Sequence, residues 1–561
     1  MDADTVDHDD LFYDRSSCIL YTMADVRKMK ETMIIIGSGA AGLSAALEFA
    51  KNGTRSILIS DMPSERAQSV MAEGGINAAV DPQGDSPELH AEETMKAGRY
   101  IADSKAVHQM TEEAAKIIKE LFESGMAFTL NENKKPDVRA FGGQSVKRTF
   151  FAASNTGKQL MYVLIDQVRR YEAEGLIERL TGWEFLKLLC DEKQAYGCIL
   201  THKVTQQEKI LYGKVVIATG GLNGMFGNAT GSVRNTGAVT ANLFALGVKC
   251  SNGEFIQYHP TTAKLHAKNM LITEAVRGEG GRLYVLENGK PFYFMEEKYP
   301  ELGNLMPRDV IAKEEWMLIQ QGKQIYLDMR YLNQKTANVK LKGVIEDCKS
   351  FLGLDPRKEP IPVMPGIHYF MGGIWVDMDH RTSMRNLYAA GECACQYHGA
   401  NRLGGNSLLG ALYGGRIAAK SAMEDKEITK MPEITSTDNR KKESADGSYI
   451  ENLQKLQDIL KKGLGMIRNE EILNDAQNQL DQLLKELENT YDMTATKLEN
   501  QSLKERCMLG KAMILCAKER KESRGAHQRS DYPSECEEYK KQTIAQLING
   551  EIQIHFKKAG E

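Results

Sequence analysis

Long apolar runs are missing from this 561-residue chain. None approaches the roughly 20 residues needed to cross a bilayer, so no direct membrane span is expected. A secretory leader core is missing too, since residues 1–31 carry Asp4, Asp7, Asp9 and Asp10 among mixed charges. Charge of one sign is not in excess: the formal net charge of −4 gives no reason to expect nucleic-acid binding. Cysteine pairs at zinc spacing are absent, and Cys393-Ala-Cys395, the one close pair among ten cysteines, is too little to hold a cluster. Scattered thiols of this kind point to reduced, mostly buried cysteines in a cytosolic protein. There is no internal repeat and no low-complexity tract. What is there is ordinary for a globular protein with a large core: 42% hydrophobic residues, 26% charged and 49 glycines. The length leaves room for about two to four domains.

The ordered part opens on Met33-Ile-Ile-Ile-Gly37-Ser38-Gly39-Ala40-Ala41-Gly42. A short apolar strand ends in a tight glycine turn. An Ala- and Leu-rich helix follows to about Asn52, then a second apolar strand, Ser56 to Ser60. Gly37 makes the turn, Gly39 lets backbone approach a pyrophosphate, and Gly42 packs the helix onto the sheet, while the helix N-terminus offers free N–H groups to phosphates. In this strand–turn–helix context the pattern reads as a dinucleotide site.

Two more apolar runs end at glycine, Val215-Val-Ile-Ala-Thr-Gly220-Gly221 and Asn386-Leu-Tyr-Ala-Ala-Gly391-Glu392. Each reads as a buried parallel strand delivering backbone to a ligand at its C-terminal end. Their separation implies a nucleotide domain, 32–239 and 363–423, interrupted by an inserted domain at 240–362. Residues 1–31 read as a poorly ordered extension, or as a start placed too early with Met29 as the true one. The polar stretch 424–448 reads as a linker. Beyond it Ile472, Leu473, Ala476, Leu480, Leu483, Leu484 and Leu487 recur at helical spacing, and 503–521 reads as another helix. Residues 449–561 are therefore expected to form a C-terminal helical domain and tail.

Several blocks carry chemistry. They are Gln68-Ser69-Val-Met-Ala-Glu73-Gly74-Gly75, Arg139-Ala-Phe141-Gly142-Gly143, Gln257-Tyr-His259-Pro-Thr261, Leu271-Ile-Thr273-Glu274-Ala-Val-Arg277, Pro307-Arg308-Asp309, Ile367-His368, His398-Gly-Ala-Asn401-Arg402-Leu-Gly-Gly-Asn406-Ser407-Leu408 and Arg524-Gly-Ala-His527-Gln-Arg529. Taken singly, each of these charged residues would be an ordinary salt bridge or a satisfied core histidine. Two histidines, two or three arginines and a threonine converging on one cleft make a site for a small dianion, because Arg grips a carboxylate with two parallel hydrogen bonds. Glu274 and Arg277, three apart, share a face if their segment is helical, and a carboxylate between arginines is a credible proton relay.

In order and number these blocks resemble the flavoprotein subunit of succinate dehydrogenase and fumarate reductase, over about residues 32 to 533. The resemblance implies an α/β fold: a Rossmann-like FAD-binding domain interrupted by an α+β capping domain and followed by the helical domain. It implies that His259, Thr273, His368 and Arg402 hold the substrate carboxylates of fumarate or succinate beside Phe141. Arg308 would donate the proton in fumarate reduction and accept it in succinate oxidation, with hydride passing at flavin N5; Glu274 and Arg277 would reprotonate it. FAD contacts are implied at Gly37, Ser38, Gly39, Ala40, Ala41, Gly42, Ser60, Ser69, Gly74, Gly75, Glu392, Asn406, Ser407 and Leu408, and Asp61 could reach the adenosine ribose. An arginine acid is unexpected, its pKa lying above about 12, but a carbanion-like hydride adduct is a strong enough base to take its proton. Alignment of the alkene and stabilisation of the adduct's charge would supply most of the rate.

The sequence departs from the family at two places. Members that attach FAD covalently place a histidine where this chain has Gln68, and an amide cannot form that bond. FAD is therefore expected to be non-covalent, which in this family lowers the flavin potential and favours reducing an alkene. Ala238 stands where many members place an aspartate, within a stretch, Ser232 to Gly237, that resembles a subgroup lacking that acid. The close alternative is L-aspartate oxidase, which places a glutamate where Phe141 stands to receive the substrate ammonium; burying an ammonium against a phenyl ring would be costly. Reductases of other unsaturated acids usually alter a carboxylate-binding residue, and none is altered here. A non-catalytic scaffold is disfavoured by the joint presence of Arg308, Glu274, Arg277 and Arg402. Electrons must come from outside the chain. The C-terminal helices and the Arg524–Arg529 block resemble members with an iron–sulfur subunit and a membrane anchor beyond it, so the expected location is cytoplasmic, or peripheral on the inner face of the cell membrane through those partners.

Overall fold

Met33–Ile36 is buried at all four positions because it is the middle strand of a five-stranded sheet. The strand order is Leu387–Ala389, Lys214–Ile217, Met33–Ile36, Ser56–Ser60, Ile177–Thr181, every neighbouring pair being parallel. A parallel sheet covered on both faces needs continuous apolar runs, and the three glycine-ended runs supply the adjacent strands. One face is covered by the helix Ala40–Lys51, packed against the helices Thr156–Ala173 and Asn406–Glu424. The computed structural model describes residues 11–14, 19–22, 32–80, 84–265, 268–426, 443–444, 448–488 and 490–560. The expected extension, apart from an antiparallel pair Leu11–Asp14 with Ile19–Thr22, and most of the expected linker lie outside the described residues.

A six-stranded antiparallel sheet is built from Asn269–Leu271, Ile256–Lys264, Ile361–Phe370, Ile325–Asp328, Arg282–Glu287 and Lys290–Phe292, in that order. Its register sets Tyr258 opposite Ile367 and His259 opposite Gly366, which brings His259 and His368 side by side. Ala263, Ile272, Leu283, Val285, Ile311 and Ile325 form the core beneath it.

After residue 447 the helices Ser448–Gly463, Glu470–Glu488 and Lys497–Glu519 pack together through Leu473, Ala476, Leu480 and Leu483, the residues at helical spacing. The last helix starts at a capping box of Thr496 and Glu499. The chain end differs from the helical domain and tail expected: Gln542–Ile548 and Glu551–Lys557 form a hairpin that joins a sheet with Cys250–Ser251, Gly373–Trp375 and Ala394–Cys395. Asn549 and Gly550 both take positive φ, 51° and 83°, which is the geometry of a tight hairpin turn. Among the described residues no helix is long and apolar enough to cross a membrane.

Candidate active site

The strand Met33–Ile36 runs into Gly37 at φ +109°, where a Cβ would sit 2.2 Å from the Ala218 carbonyl oxygen. The chain turns there into the helix Ala40–Lys51, whose N-cap Gly39 supplies no side chain. Ser69 Oγ accepts from the Ala40 N–H at 3.1 Å. Gly42 closes the turn from behind: a Cβ on it would lie 1.8 Å from the Gly37 carbonyl oxygen. A second helix, Asn406–Glu424, begins after Gly405, again with no side-chain cap. Both helix starts border one cavity of about 840 Å³. Two helix N-termini whose N-cap glycines supply no side chain, with close-approach glycines around them, suit a large anionic cofactor, and the donor set therefore fits a flavin dinucleotide.

Gly37, Ser38, Gly39, Ala40 and Ala41 line this cavity, as do Ser60, Asp61, Ser69, Gly74, Gly75, Glu392, Ser407 and Leu408. Three expected residues do not. Gly42 acts through packing, and Arg277 lies behind Glu274. Asn406 has its side chain turned away, bonding Asn77 at 2.8 Å, His90 at 2.9 Å and Thr94 at 2.8 Å as a core cross-link, so only its backbone at the helix start is left for the expected cofactor contact. Asp61 borders the cavity, but its Oδ2 accepts from Arg234 Nε at 3.1 Å and Nη2 at 2.5 Å. Gln68 is also on the lining, and its Oε1 accepts from the Ser232 N–H at 2.6 Å.

The same cavity continues to Phe141, His259, Thr273, Glu274, Arg308, His368 and Arg402. Arg308 opens the helix Arg308–Gln320 after Pro307, and its Nε and Nη2 donate to Glu274 Oε2 at 2.8 and 2.6 Å. Glu274 Oε1 accepts from the Gly142 N–H at 2.8 Å and lies 3.5 Å from Arg277 Nη2. Burial works to raise the Glu274 carboxyl, but Arg308 and Arg277 outweigh it and hold it below the usual carboxylate range. Gln257, for which the sequence suggested no role, accepts on one oxygen from both Arg308 Nη1 and Arg402 Nη2, each at 3.0 Å. Its signal was only its place beside His259. Arg402 lies 4.2 Å over the Tyr369 ring with its Nε unpartnered. Burial and the neighbouring Arg308 charge push its guanidinium down to about 9.

The rings of His259 and His368 are 5.0 Å apart. His368 Nδ1 shares a 2.7 Å hydrogen bond with Thr230 Oγ1, and His259 Nδ1 accepts from the Thr261 N–H at 3.2 Å. Burial first, and the nearby arginines second, push both imidazoles well below their ordinary range, so each is neutral. The result is a buried basin with two guanidiniums, two neutral histidines and a threonine on its walls, and one carboxylate fully engaged by arginine. Such a basin has the charge and donors to hold a small dianion, with a proton-bearing group on its wall.

The FAD binding domain family matches residues 32–408, and the fumarate reductase flavoprotein C-terminal family matches residues 453–559. The chain is 36% identical over 553 residues to the succinate dehydrogenase flavoprotein subunit of Bacillus subtilis (strain 168), covering 93% of this chain and 94% of that one. It is 31% identical over 539 residues to the fumarate reductase flavoprotein subunit of Serratia sp. (strain ATCC 39006), covering 89% of each chain. Among solved structures it superposes on the FrdA chain of a mutated E. coli quinol fumarate reductase with a TM-score of 0.83 at 27% identity, covering 95% of this chain and 97% of that one.

Proposed function

We propose a substrate, a direction and a proton path for this chain, which belongs to the family of succinate dehydrogenase and fumarate reductase flavoprotein subunits and is an FAD-dependent oxidoreductase. The reaction is the interconversion of fumarate and succinate. One observation carries the reading: Arg308 is held between Glu274 and Gln257, with Arg402 on the same glutamine oxygen. Gly37 to Ala41, Ser60, Ser69, Gly74, Gly75, Glu392, Ser407 and Leu408 hold FAD, which when bound supplies or accepts the hydride. His259, His368, Thr273 and Arg402 hold the two carboxylates; the neutral imidazoles bind them as hydrogen-bond donors. Arg308 gives its proton to the substrate carbon in reduction and takes it back in oxidation. Glu274 passes a replacement proton from Arg277, which is buried at its back. Phe141, 1% exposed, offers no anion to an ammonium, which disfavours L-aspartate as substrate.

The direction is fumarate reduction. Gln68 cannot bond the flavin covalently, and its amide oxygen is already committed to Ser232. Electrons reach the chain through a docked iron–sulfur subunit and a membrane anchor beyond it. The FrdA chain it resembles comes from a quinol fumarate reductase. The test is to purify the chain with FAD, reduce it anaerobically and add fumarate. Wild type should reoxidise, and Arg308→Ala should lose roughly 10²–10⁴-fold in rate while keeping its FAD. Acid precipitation should release all the yellow colour; colour retained in the pellet would overturn the non-covalent assignment. Full turnover by Arg308→Ala would overturn the proton path.

A further inference from the structure

The helix that begins with Arg308 carries a second buried ionisable group two turns on. Glu315 lies seven residues after Arg308, about 10 Å along the axis and on the same face. It is 0% exposed, and neither of its carboxyl oxygens has a hydrogen-bond partner. The charge that acts on it is that of Arg277, itself 2% exposed, whose Nη1 donates to the Asn304 carbonyl at 2.7 Å. Arg277 Nε and Nη2 make no hydrogen bond either. Nη2 is left with the 3.5 Å ion-pair contact to Glu274 Oε1, and Arg277 Nε and both Glu315 oxygens are buried without a hydrogen bond. Buried polar groups of this kind are normally satisfied by an internal water making two to four hydrogen bonds. Burial also pushes the Glu315 carboxyl well above the usual carboxylate range, with Arg277 opposing, which favours its protonated form. Ile311, one turn before Glu315, belongs to the same buried apolar cluster as Ala275 and Val276, and an unpartnered buried glutamate on this helix has no packing rationale that an apolar residue would not serve better.

We propose that Glu315 extends the proton path one station beyond Arg277, through an internal water held by both, and refills Arg277 in each turnover. The inference rests on the arginine path proposed above. The proton that Arg308 gives to carbon is replaced through Glu274 from Arg277. Arg277 takes a proton from the bridging water as that water takes one from the Glu315 carboxyl. The resulting Glu315 carboxylate, now beside cationic Arg277, regains its proton from solvent. No electrons move in these steps, and each proton lost by one group is gained by the next. Glu315 touches neither substrate nor cofactor; it acts through Arg277.

The test uses the FAD-loaded chain with Glu315→Gln, which keeps volume, neutrality and the capacity to bind water but has no proton to give. Steady-state fumarate reduction should fall by at least about tenfold, with KM for fumarate within twofold and FAD content unchanged. The solvent deuterium isotope effect on kcat should rise. A single reoxidation of pre-reduced enzyme should keep the wild-type rate, because Arg308 starts that turnover already loaded. Glu315→Asp should recover part of kcat. Wild-type turnover by Glu315→Gln would overturn the proposal. So would equal losses in the single and steady-state turnovers, which mark a packing defect. If Arg308→Ala turns over normally, the parent reading fails whatever Glu315→Gln does; if Arg308→Ala is inactive and Glu315→Gln is normal, only the extension fails.

Discussion

Glu73 lines the cofactor cavity, and burial pushes its carboxyl up to about 8, Asp347 adding to the rise while Arg139 and Lys158 oppose it. In the unfolded chain the same group titrates near 4.5. Between these values the folded state binds a proton that the unfolded state has released, so the group's contribution to stability declines as pH rises. That contribution is complete below about pH 4.5 and is lost as pH passes 8. Glu73→Gln removes the titration. The flavin-free variant should melt close to wild type at pH 4.5 and above it at pH 8.5, with a gap that widens steadily between. Melting curves across that range check it; a constant gap would mean that Glu73 stays ionised in the fold. Gln257 shows a second kind of residue-scale effect, since one neutral oxygen orients two like charges that would otherwise repel.

The strand Met33–Ile36, its glycine turn and the helix Ala40–Lys51 form the element on which cofactor binding depends, and Gly42 is where it tolerates least change. A Cβ there would meet the Gly37 carbonyl at 1.8 Å, whereas one on Gly53, just past the helix at φ +69°, would meet nothing. Gly42→Ala should therefore destabilise by at least about 1–3 kcal/mol through overpacking and lose FAD. Gly53→Ala should cost about 1–2 kcal/mol from backbone conformation alone and keep its flavin. Urea midpoints and the flavin-to-protein absorbance ratio distinguish the two. This element was fully legible in the sequence, because apolar run, glycine spacing and helix are all local. So were the strands ending at Gly220 and Gly391, and the leucine stripe from Leu473 to Leu487. The C-terminal hairpin was missed although Asn549-Gly550 is a local turn signal, because its partner strand Cys250–Ser251 lies about 290 residues away and is too short to show a pattern. The site's residue types were legible as motifs, but side-chain direction was not. Asn406 sits at the start of a cofactor-facing helix yet points into the core, and Asp61 is taken up by Arg234, both decided by packing between distant segments.

At the scale of the whole molecule, the C-terminal helices are tied to the strand that carries Gln257 and His259 by buried charge. Arg520, immediately after the helix Lys497–Glu519, donates from Nε to Glu254 Oε1 at 2.7 Å, and both side chains are 0% exposed. Its Nη2 donates to Thr543 Oγ1 in the hairpin at 2.7 Å, and its guanidinium lies 4.8 Å over Phe255. Glu254 stands two residues before the strand Ile256–Lys264, which carries Gln257 and His259. One guanidinium therefore fixes helix, hairpin and the Ile256–Lys264 strand together. Glu254 Oε1 also accepts from Thr543 Oγ1 at 2.5 Å and Oε2 has no hydrogen-bond partner, so removing Arg520 leaves a buried carboxylate with a neutral donor but no countercharge. Arg520→Met should destabilise by about 3–5 kcal/mol, and Glu254→Gln added to it should restore part of that, because Glu254's desolvation cost disappears with its charge while Glu522, the second carboxylate on Arg520, keeps Arg524. Denaturant midpoints of the two singles and the double measure this coupling. Since the lost tie lies beside His259, the Arg520→Met enzyme should also show KM for fumarate rising more than kcat falls. An unchanged KM at a lowered midpoint would place the C-terminal helices outside the substrate site's mechanical support.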